Sequence, residues 1–260
     1  MNTFKIFAIG DVIGPTGVDF LRQRLWKYRN ENHIDLVVVN GENSARPNGI
    51  DKESAEMLFA HGADVITTGN HVWSKREAYS YLDDTTSVLR PANFPDSCPG
   101  AGHTIKEFSG KRVLIINVQG TLFMQSLSSP FEAVDTILKK EHGNFDISVV
   151  DFHAEATSEK AALALYLDGK VNVVFGTHTH VQTNDIRILK NGTAFITDLG
   201  MTGVYDSVIG VNSEIAIKRY ITKMPHKLED AVGDCICCGA LFELDFNENK
   251  LLSAEAVKLY

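Results

Sequence analysis

The chain has few cysteines: four among 260 residues, with Cys98 alone and Cys235, Cys237 and Cys238 crowded into one segment. A thiolate metal site would need a second, separated pair, which is missing. We therefore expect the three neighbouring cysteines to be small buried residues of a C-terminal strand. Few cysteines are typical of proteins in a reducing cytoplasm, where we expect this one to act.

Long apolar runs and an excess of basic residues are also missing. No apolar stretch is long enough to span a bilayer, and the N-terminal MNTFKIFAIGD enters a strand-like run without an export signal. The formal net charge is −8, whereas a large nucleic-acid surface needs a basic face. A small phosphate ligand is not excluded, because a bound metal ion can reverse the local sign of the charge.

What the chain does contain is a repeated order of short apolar run, polar turn and helical segment. Runs such as IDLVVV and VNVVF suit strands buried on both faces. Strands that alternate with helices indicate βαβ units, so the sequence predicts a single α/β domain over residues 1–260. The tail is typical of an antiparallel hairpin with its turn at NENK. Helices are predicted over residues 18–30, 51–62, 74–82 and 158–167.

Polar side chains follow five of the predicted strands, at the points where the strands end. They are Asp11, Glu42, Asn43, Asn70, His71, His153, His178 and His180. Ligands of an open α/β sheet bind at this edge. The mixture of carboxylate, amide and imidazole suits iron, manganese or zinc, whereas calcium would take oxygen ligands alone. Because one ion needs fewer ligands, we expect two ions bridged by a carboxylate, an arrangement suited to phosphoryl chemistry.

Each of these residues also fits a structural role: Asp11 could cap the following turn, and Glu42 with Asn43, or Asn70 with His71, could be turn residues. Taken alone, His153 fits a core position as well as a ligand, and the pair His178 and His180 fits a surface turn equally well. The coincidence of all of them at strand ends favours a metal site. Alternate residues of an extended chain face the same side, so His178 and His180 are expected to project together from a strand end. Three basic residues near the motifs, Arg46, Lys75 and Arg90, are expected at the solvated surface rather than against a substrate.

The motifs GNH (69–71) and GTHTH (176–180) resemble those of the calcineurin-like metallophosphoesterases. With GDVIG, NGENSA, RPANFP, DFHAEATSEK and ITDLGMTG in the same order, the chain resembles the YmdB subfamily more closely. Two departures from the wider superfamily fit that subfamily: Ile13 replaces a histidine, and Glu42 replaces a bridging aspartate. The resemblance implies two mixed β-sheets packed face to face and flanked by helices, in a homo-oligomer.

The resemblance also implies a role for each residue of the site. One metal ion is held by Asp11, Glu42, Asn43 and His180, and the second by Glu42, Asn70, His153 and His178. Iron is expected ahead of manganese or zinc. His71 is in neither set, and we expect it to protonate the leaving oxygen while a hydroxide that bridges the metals attacks phosphorus. The expected substrate is a small nucleotide phosphodiester, such as a 2′,3′-cyclic nucleotide.

Three alternatives fit parts of the sequence. An amidohydrolase also carries His-x-His at a strand end, but after the first strand of a barrel, and it has no place for Asn43 or Asn70. The turn GDVIGPTG does not match the spacing of a dinucleotide-binding fingerprint. A regulatory protein that binds a cyclic nucleotide without turnover would not need His71, and comparing binding with turnover in metal-loaded protein distinguishes it from an enzyme.

Overall fold

The computed structural model describes residues 3–260, which form two β-sheets and six α-helices. The first sheet contains, in spatial order, β2 (Asp11–Val12), β12 (Met201–Val204), β13 (Cys235–Asp245), β1 (Thr3–Ile9), β3 (Leu36–Asn40), β4 (Val65–Thr67) and β5 (Val88–Leu89), and β14 (Leu251–Leu259) also pairs with β13. The second contains β10 (Arg187–Ile188), β11 (Ala194–Ile196), β9 (Val173–Thr177), β8 (Ile147–His153), β7 (Lys111–Gln119) and β6 (His103–Phe108). The helices are α1 (Gly14–Asn32), α2 (Lys52–Ala60), α3 (Ala78–Asp84), α4 (Pro130–Lys140), α5 (Thr157–Leu167) and α6 (Ser213–Thr222).

Both sheets are mixed. Strands β1, β3, β4 and β5 are parallel to one another in the first sheet, whereas β13 pairs antiparallel with β1 and β14. In the second sheet β7, β8, β9 and β11 are parallel, and β6 and β10 form antiparallel edges. The α/β class with two mixed sheets is therefore confirmed, and so is the C-terminal hairpin.

Strand β1 is apolar on both faces because each face packs against a different layer. Phe4 and Ile6 lie in a buried cluster with Val149 and Phe175 of the second sheet, which places the two sheets face to face. Phe7 belongs to a second cluster, shared with the helices α1 and α2. Burial of each such side chain stabilises the fold by about 1.5–3 kcal/mol. The two sheets therefore share one buried core, and a single domain over residues 1–260 stays a prediction.

Four predicted helices correspond to α1, α2, α3 and α5, while α4 and α6 were missed. Helix α6 buries only Ala216, and its large apolar residues Ile217 and Ile221 are exposed, so it lacks the apolar stripe of a core-facing helix. No helix within residues 3–260 is long and apolar enough to cross a membrane. Cys237 and Cys238 are buried in β13, as the sequence predicts, whereas Cys235 is only half-buried.

The carboxyl ends of the parallel strands from both sheets meet at one edge of the molecule. There Asn40, the last residue of β3, donates through Nδ2 to Asp151 Oδ2 of β8 across 3.0 Å and to Thr177 Oγ1 of β9 across 3.2 Å. These buried hydrogen bonds join the two sheets where the predicted site residues follow the strands.

Candidate metal centre

The seven side chains predicted as metal ligands lie together at this edge, in two groups. His153 is the centre of the first group. Its Nε2 lies 3.1 Å from Glu42 Oε1, 3.0 Å from Asn70 Oδ1 and 3.0 Å from His178 Nδ1. The donor atoms of Glu42, His153 and His178 lie within 4.8 Å of one another. Two imidazoles, a carboxylate and an amide oxygen suit a borderline transition metal.

The second group contains Asp11, Asn43 and His180. His180 Nε2 lies 3.6 Å from Asp11 Oδ1 and 3.4 Å from Asn43 Nδ2. Asn43 Nδ2 also lies 3.3 Å from Glu42 Oε1, so the Glu42 carboxylate contacts members of both groups. Glu42 thus lies between the two groups.

Asp11 provides a direct test of whether these residues fit a metal ion. Its side chain is fully buried, and Oδ1 has no hydrogen-bond partner among residues 3–260. A buried carboxylate oxygen without a partner is destabilising, since it has lost its hydration without compensation. A cation bound beside Oδ1 supplies that compensation, so the residues fit a metal ion.

In each of His153, His178 and His180, one ring nitrogen contacts an oxygen outside the cluster, and the other ring nitrogen faces the cluster. The outer partners are Thr177 Oγ1 for His153 Nδ1 at 2.9 Å, Glu155 Oε2 for His178 Nε2 at 3.1 Å, and the Ile209 carbonyl for His180 Nδ1 at 2.9 Å. Metal-bound histidines typically donate their second N–H to an oxygen in this way, which fixes the tautomer and the ring orientation. Sequence reasoning missed all three outer partners.

Thr177 is itself oriented by a buried carboxylate. Its Oγ1 donates to Asp151 Oδ1 across 2.7 Å, and therefore accepts the N–H of His153. Asp151 accepts further hydrogen bonds from Thr67 and Asn40. The lone pair of His153 Nε2 is consequently left for the centre of the cluster.

The charged side chains of the site shift the pKa values of one another. Although burial alone would raise the pKa of the Asp11 carboxyl, His180, whose Nε2 lies 3.6 Å from Oδ1, holds it well below its usual range through its charge. Burial opposes the charge of His180 too, but Asp11 raises its pKa to about 9. Burial and the neighbouring charge of His153 lower the pKa of His178 to about 4. The ionised carboxylates of Asp11 and Glu42 thus lie beside several imidazoles. When a metal ion binds such a set of ligands, the protonated imidazoles release their protons.

Strand β9 ends at Thr177, and the two histidines that follow do not continue it. His178 and His180 have φ angles of 101° and 63°, in a region that residues other than glycine seldom adopt. The expectation of two imidazoles side by side on an extended chain is therefore wrong. The turns direct His178 to the first group and His180 to the second, at a cost of about 1–3 kcal/mol for each strained residue.

A buried ion pair holds this strained loop. Asp198 Oδ2 accepts from Lys160 Nζ across 2.6 Å and from the backbone N–H of Thr179 across 3.1 Å, between the two histidines. Asp198 Oδ1 accepts from the backbone of Gly200, whose carbonyl in turn accepts from the backbone N–H of Asp11. Both members of the pair are buried. The sequence signal for Lys160 was a lysine on the buried face of α5, and it was overlooked.

Glu42 and His153 can approach each other in the first group because residue 69 is a glycine. A Cβ added at this position would overlap Glu42 Oε2 and His153 Nε2, so no other residue leaves room for both side chains. The following residues, Asn70 and His71, form a turn after β4 rather than extended chain. Asn70 is directed at His153, whereas His71 Nδ1 lies 3.1 Å from Asn48 Nδ2 and is outside both groups.

Comparisons with known proteins identify the family of this chain. Residues 7–257 match the family model described as YmdB-like protein. The chain is 41% identical over 253 residues to the 2′,3′-cyclic-nucleotide 2′-phosphodiesterase of Bacillus subtilis (strain 168), and the match covers 97% of this chain and 96% of that protein.

Two solved structures are also similar. A novel phosphatase from Mycoplasma pneumoniae has a TM-score of 0.93 and 34% identity, covering 100% of this chain and 94% of that one. A hypothetical protein from Thermus thermophilus has a TM-score of 0.91 and 39% identity, covering 98% of this chain and 99% of that one.

Two mixed sheets packed face to face, with carboxylate, amide and imidazole donors at the ends of their strands, define a metallophosphoesterase, a class that depends on divalent metal ions. Within that class the chain belongs to the YmdB-like family, and the family resemblance of its motifs is confirmed. The amidohydrolase alternative is wrong, because it requires a barrel and this chain forms two separate sheets.

The hydrogen bond from His153 to Thr177 generates a prediction. Thr177→Val keeps the shape of the side chain but removes the acceptor for His153 Nδ1–H, so the ring loses its fixed tautomer. We expect metal affinity to fall about 10–100-fold, the usual effect of losing such a partner. Competition with a calibrated chelator measures this affinity. Thr202→Val is the matched control, since Thr202 is a buried threonine whose hydroxyl has no hydrogen-bond partner among residues 3–260. Equal affinities in the two variants would contradict the positioning role.

Proposed function

We propose that this protein is a metal-dependent phosphodiesterase that hydrolyses 2′,3′-cyclic nucleotides. The observation that carries the proposal is the Glu42 carboxylate, which is buried and contacts both ligand groups. The name of the Bacillus subtilis relative supports the substrate. A cyclic nucleotide contains a phosphodiester that can be opened without gripping a long polymer, which suits a chain with a net charge of −8.

The ligand groups correspond to two metal ions in our proposal. Asp11, Asn43 and His180 hold one ion, while Asn70, His153 and His178 hold the other, with Glu42 shared between them. The combination of oxygen and imidazole donors suits iron, manganese or zinc, and iron is the metal we propose first. When bound, such ions lower the pKa of water and screen the charge of the phosphate.

His71 is the proton donor to the leaving oxygen. Its Nδ1 lies 3.1 Å from the side-chain amide of Asn48. When the amide oxygen of Asn48 faces the ring and accepts from Nδ1–H, the protonated imidazole keeps its Nε2–H for the leaving oxygen. The backbone N–H of His71 also donates to Glu42 Oε2 across 3.2 Å, which holds the imidazole beside the centre. Asn48 is therefore a positioning residue that the sequence did not reveal.

A cytoplasmic location and a homo-oligomer stay predictions.

Substrate class is tested by incubating metal-loaded protein with a 2′,3′-cyclic nucleotide, a linear diester and a phosphomonoester. We expect preference for the cyclic diester and, in oxygen-18 water, one label on the phosphorus of the monoester product. A preference for phosphomonoesters would overturn the diesterase assignment. Tight binding of the cyclic nucleotide without turnover would instead favour a regulatory protein.

Glu42→Ala should remove metal and activity together. The substitution leaves two cations repelling each other without an anion between them, and it removes a ligand from each. Elemental analysis of the purified variant, paired with turnover, measures both effects. Glu56→Ala, at an exposed residue of α2, is the control and should keep wild-type metal content. If Glu42→Ala kept two metal ions per chain and near-normal turnover, the bridging role would be wrong.

His71→Ala should leave metal content nearly intact and lower the rate by about 10²–10⁴, the usual scale for losing a general acid. The loss should shrink for a nitrophenyl ester, because nitrophenolate departs without a proton. His142→Ala, at an exposed histidine that follows α4, is the control. Equal losses on good and poor leaving groups would count against the acid role, and loss of metal would show that His71 is a ligand.

A further inference from the structure

Arg90 does not lie at the solvated surface, where the sequence predicts it. Arg46 is exposed and pairs with Asp230 as expected of a surface residue, but Arg90 is only 5% exposed. It directly follows β5, and its backbone N–H donates to the Ala101 carbonyl across 3.0 Å. This arginine belongs to the RPANFP motif and has no part in the metal centre.

The buried guanidinium of Arg90 has few hydrogen-bond partners and no ion-pair partner among residues 3–260. Nη1 donates to the Pro91 carbonyl across 2.9 Å, but Nε is buried and has no hydrogen-bond partner among residues 3–260. Within those residues no carboxylate lies within 4.0 Å of it. Buried arginines are almost always paired, because an unpaired charge loses its hydration without compensation.

The side chain borders a cavity of about 600 Å³, a volume typical of small-molecule sites. Phe94 and Ile137 supply apolar wall, and Asn93 supplies polar wall. Asn93 Nδ2 donates to the carbonyls of Gln119 and Ser128, which fixes this wall to the end of β7.

The beginning of helix α4 also borders the cavity, through Ser129 and Glu132. The partial positive charge of a helix N-terminus favours an anion, although in α4 Pro130 has no N–H and the N–H of Glu132 donates to Ser129 Oγ across 3.4 Å. The other charged or titratable groups that face the space are His103, Lys140, Asp96 and Glu132. Asp96 is exposed and Glu132 lies at the surface, so solvent screens their charges more than that of buried Arg90.

We infer that Arg90 and the first turn of α4 form a binding site for a small ligand that carries an oxyanion, separate from the metal centre. A phosphate or a carboxylate accepts hydrogen bonds from a guanidinium readily, and Nη2 of Arg90, on a side chain that lines the cavity, has no hydrogen-bond partner among residues 3–260. The apolar wall then contacts the body of the ligand.

The test uses the metal-loaded full chain and isothermal titration with inorganic phosphate, and separately with acetate, to distinguish the two oxyanions. Phosphate also binds metal ions, so the measured quantity is the difference between wild type and variant. We expect wild type to show a second site that Arg90→Gln loses or weakens at least tenfold. Arg22→Gln, at an exposed arginine of α1, is the matched control and should keep this site.

Two further measurements keep the inference falsifiable if Arg90→Gln folds poorly. Arg90→Lys keeps the charge but loses the forked geometry, and it should weaken the second site. Ala133→Trp fills the cavity without altering Arg90 itself, and it should abolish the second site while metal content stays unchanged. No second site in wild type for either anion, or a second site that survives Arg90→Gln or Ala133→Trp, would overturn the inference.

Discussion

Two buried carboxylates, Asp11 and Glu42, lie where the edges of the two sheets meet, and the surrounding structure depends on their charge. Burial alone would raise the pKa of each, but the imidazoles of His180 and His153 lower both pKa values below the usual range. Both groups are therefore ionised at neutral pH although they are buried. Negative charge held in such a place attracts cations far more strongly than it would at the surface.

The rest of the fold keeps the donors around these carboxylates in position. Asn40 ties the two sheets together, and the Lys160–Asp198 pair holds the loop after β9. The left-handed backbone of His178 costs stability, and the hydrogen bonds around it offset that cost. Metal sites need this support, because their affinity depends on the orientation of each ligand as well as on its identity.

Much of the site was predictable from the sequence, since apolar runs locate the strands and parallel strands present their ends at one edge. The conformation that follows each strand end could not be predicted from the alternation of side chains along a strand. His178 leaves the extended conformation because of tertiary contacts, which have no local sequence signal. Lys160 and Asp198 are far apart in sequence, so their pairing had no local signal. Arg90 is buried although arginine is usually solvated, so no property of the residue itself predicts its place.

The central claim is that Glu42 bridges two metal ions, and anomalous diffraction from crystals of the metal-loaded protein tests it most directly. Data collected on either side of the absorption edge of the bound metal locate each ion without reference to activity. We expect two anomalous peaks on either side of the Glu42 carboxylate, one beside Asp11 and His180 and the other beside His153. A single peak, or two peaks that do not share Glu42, would contradict the bridge.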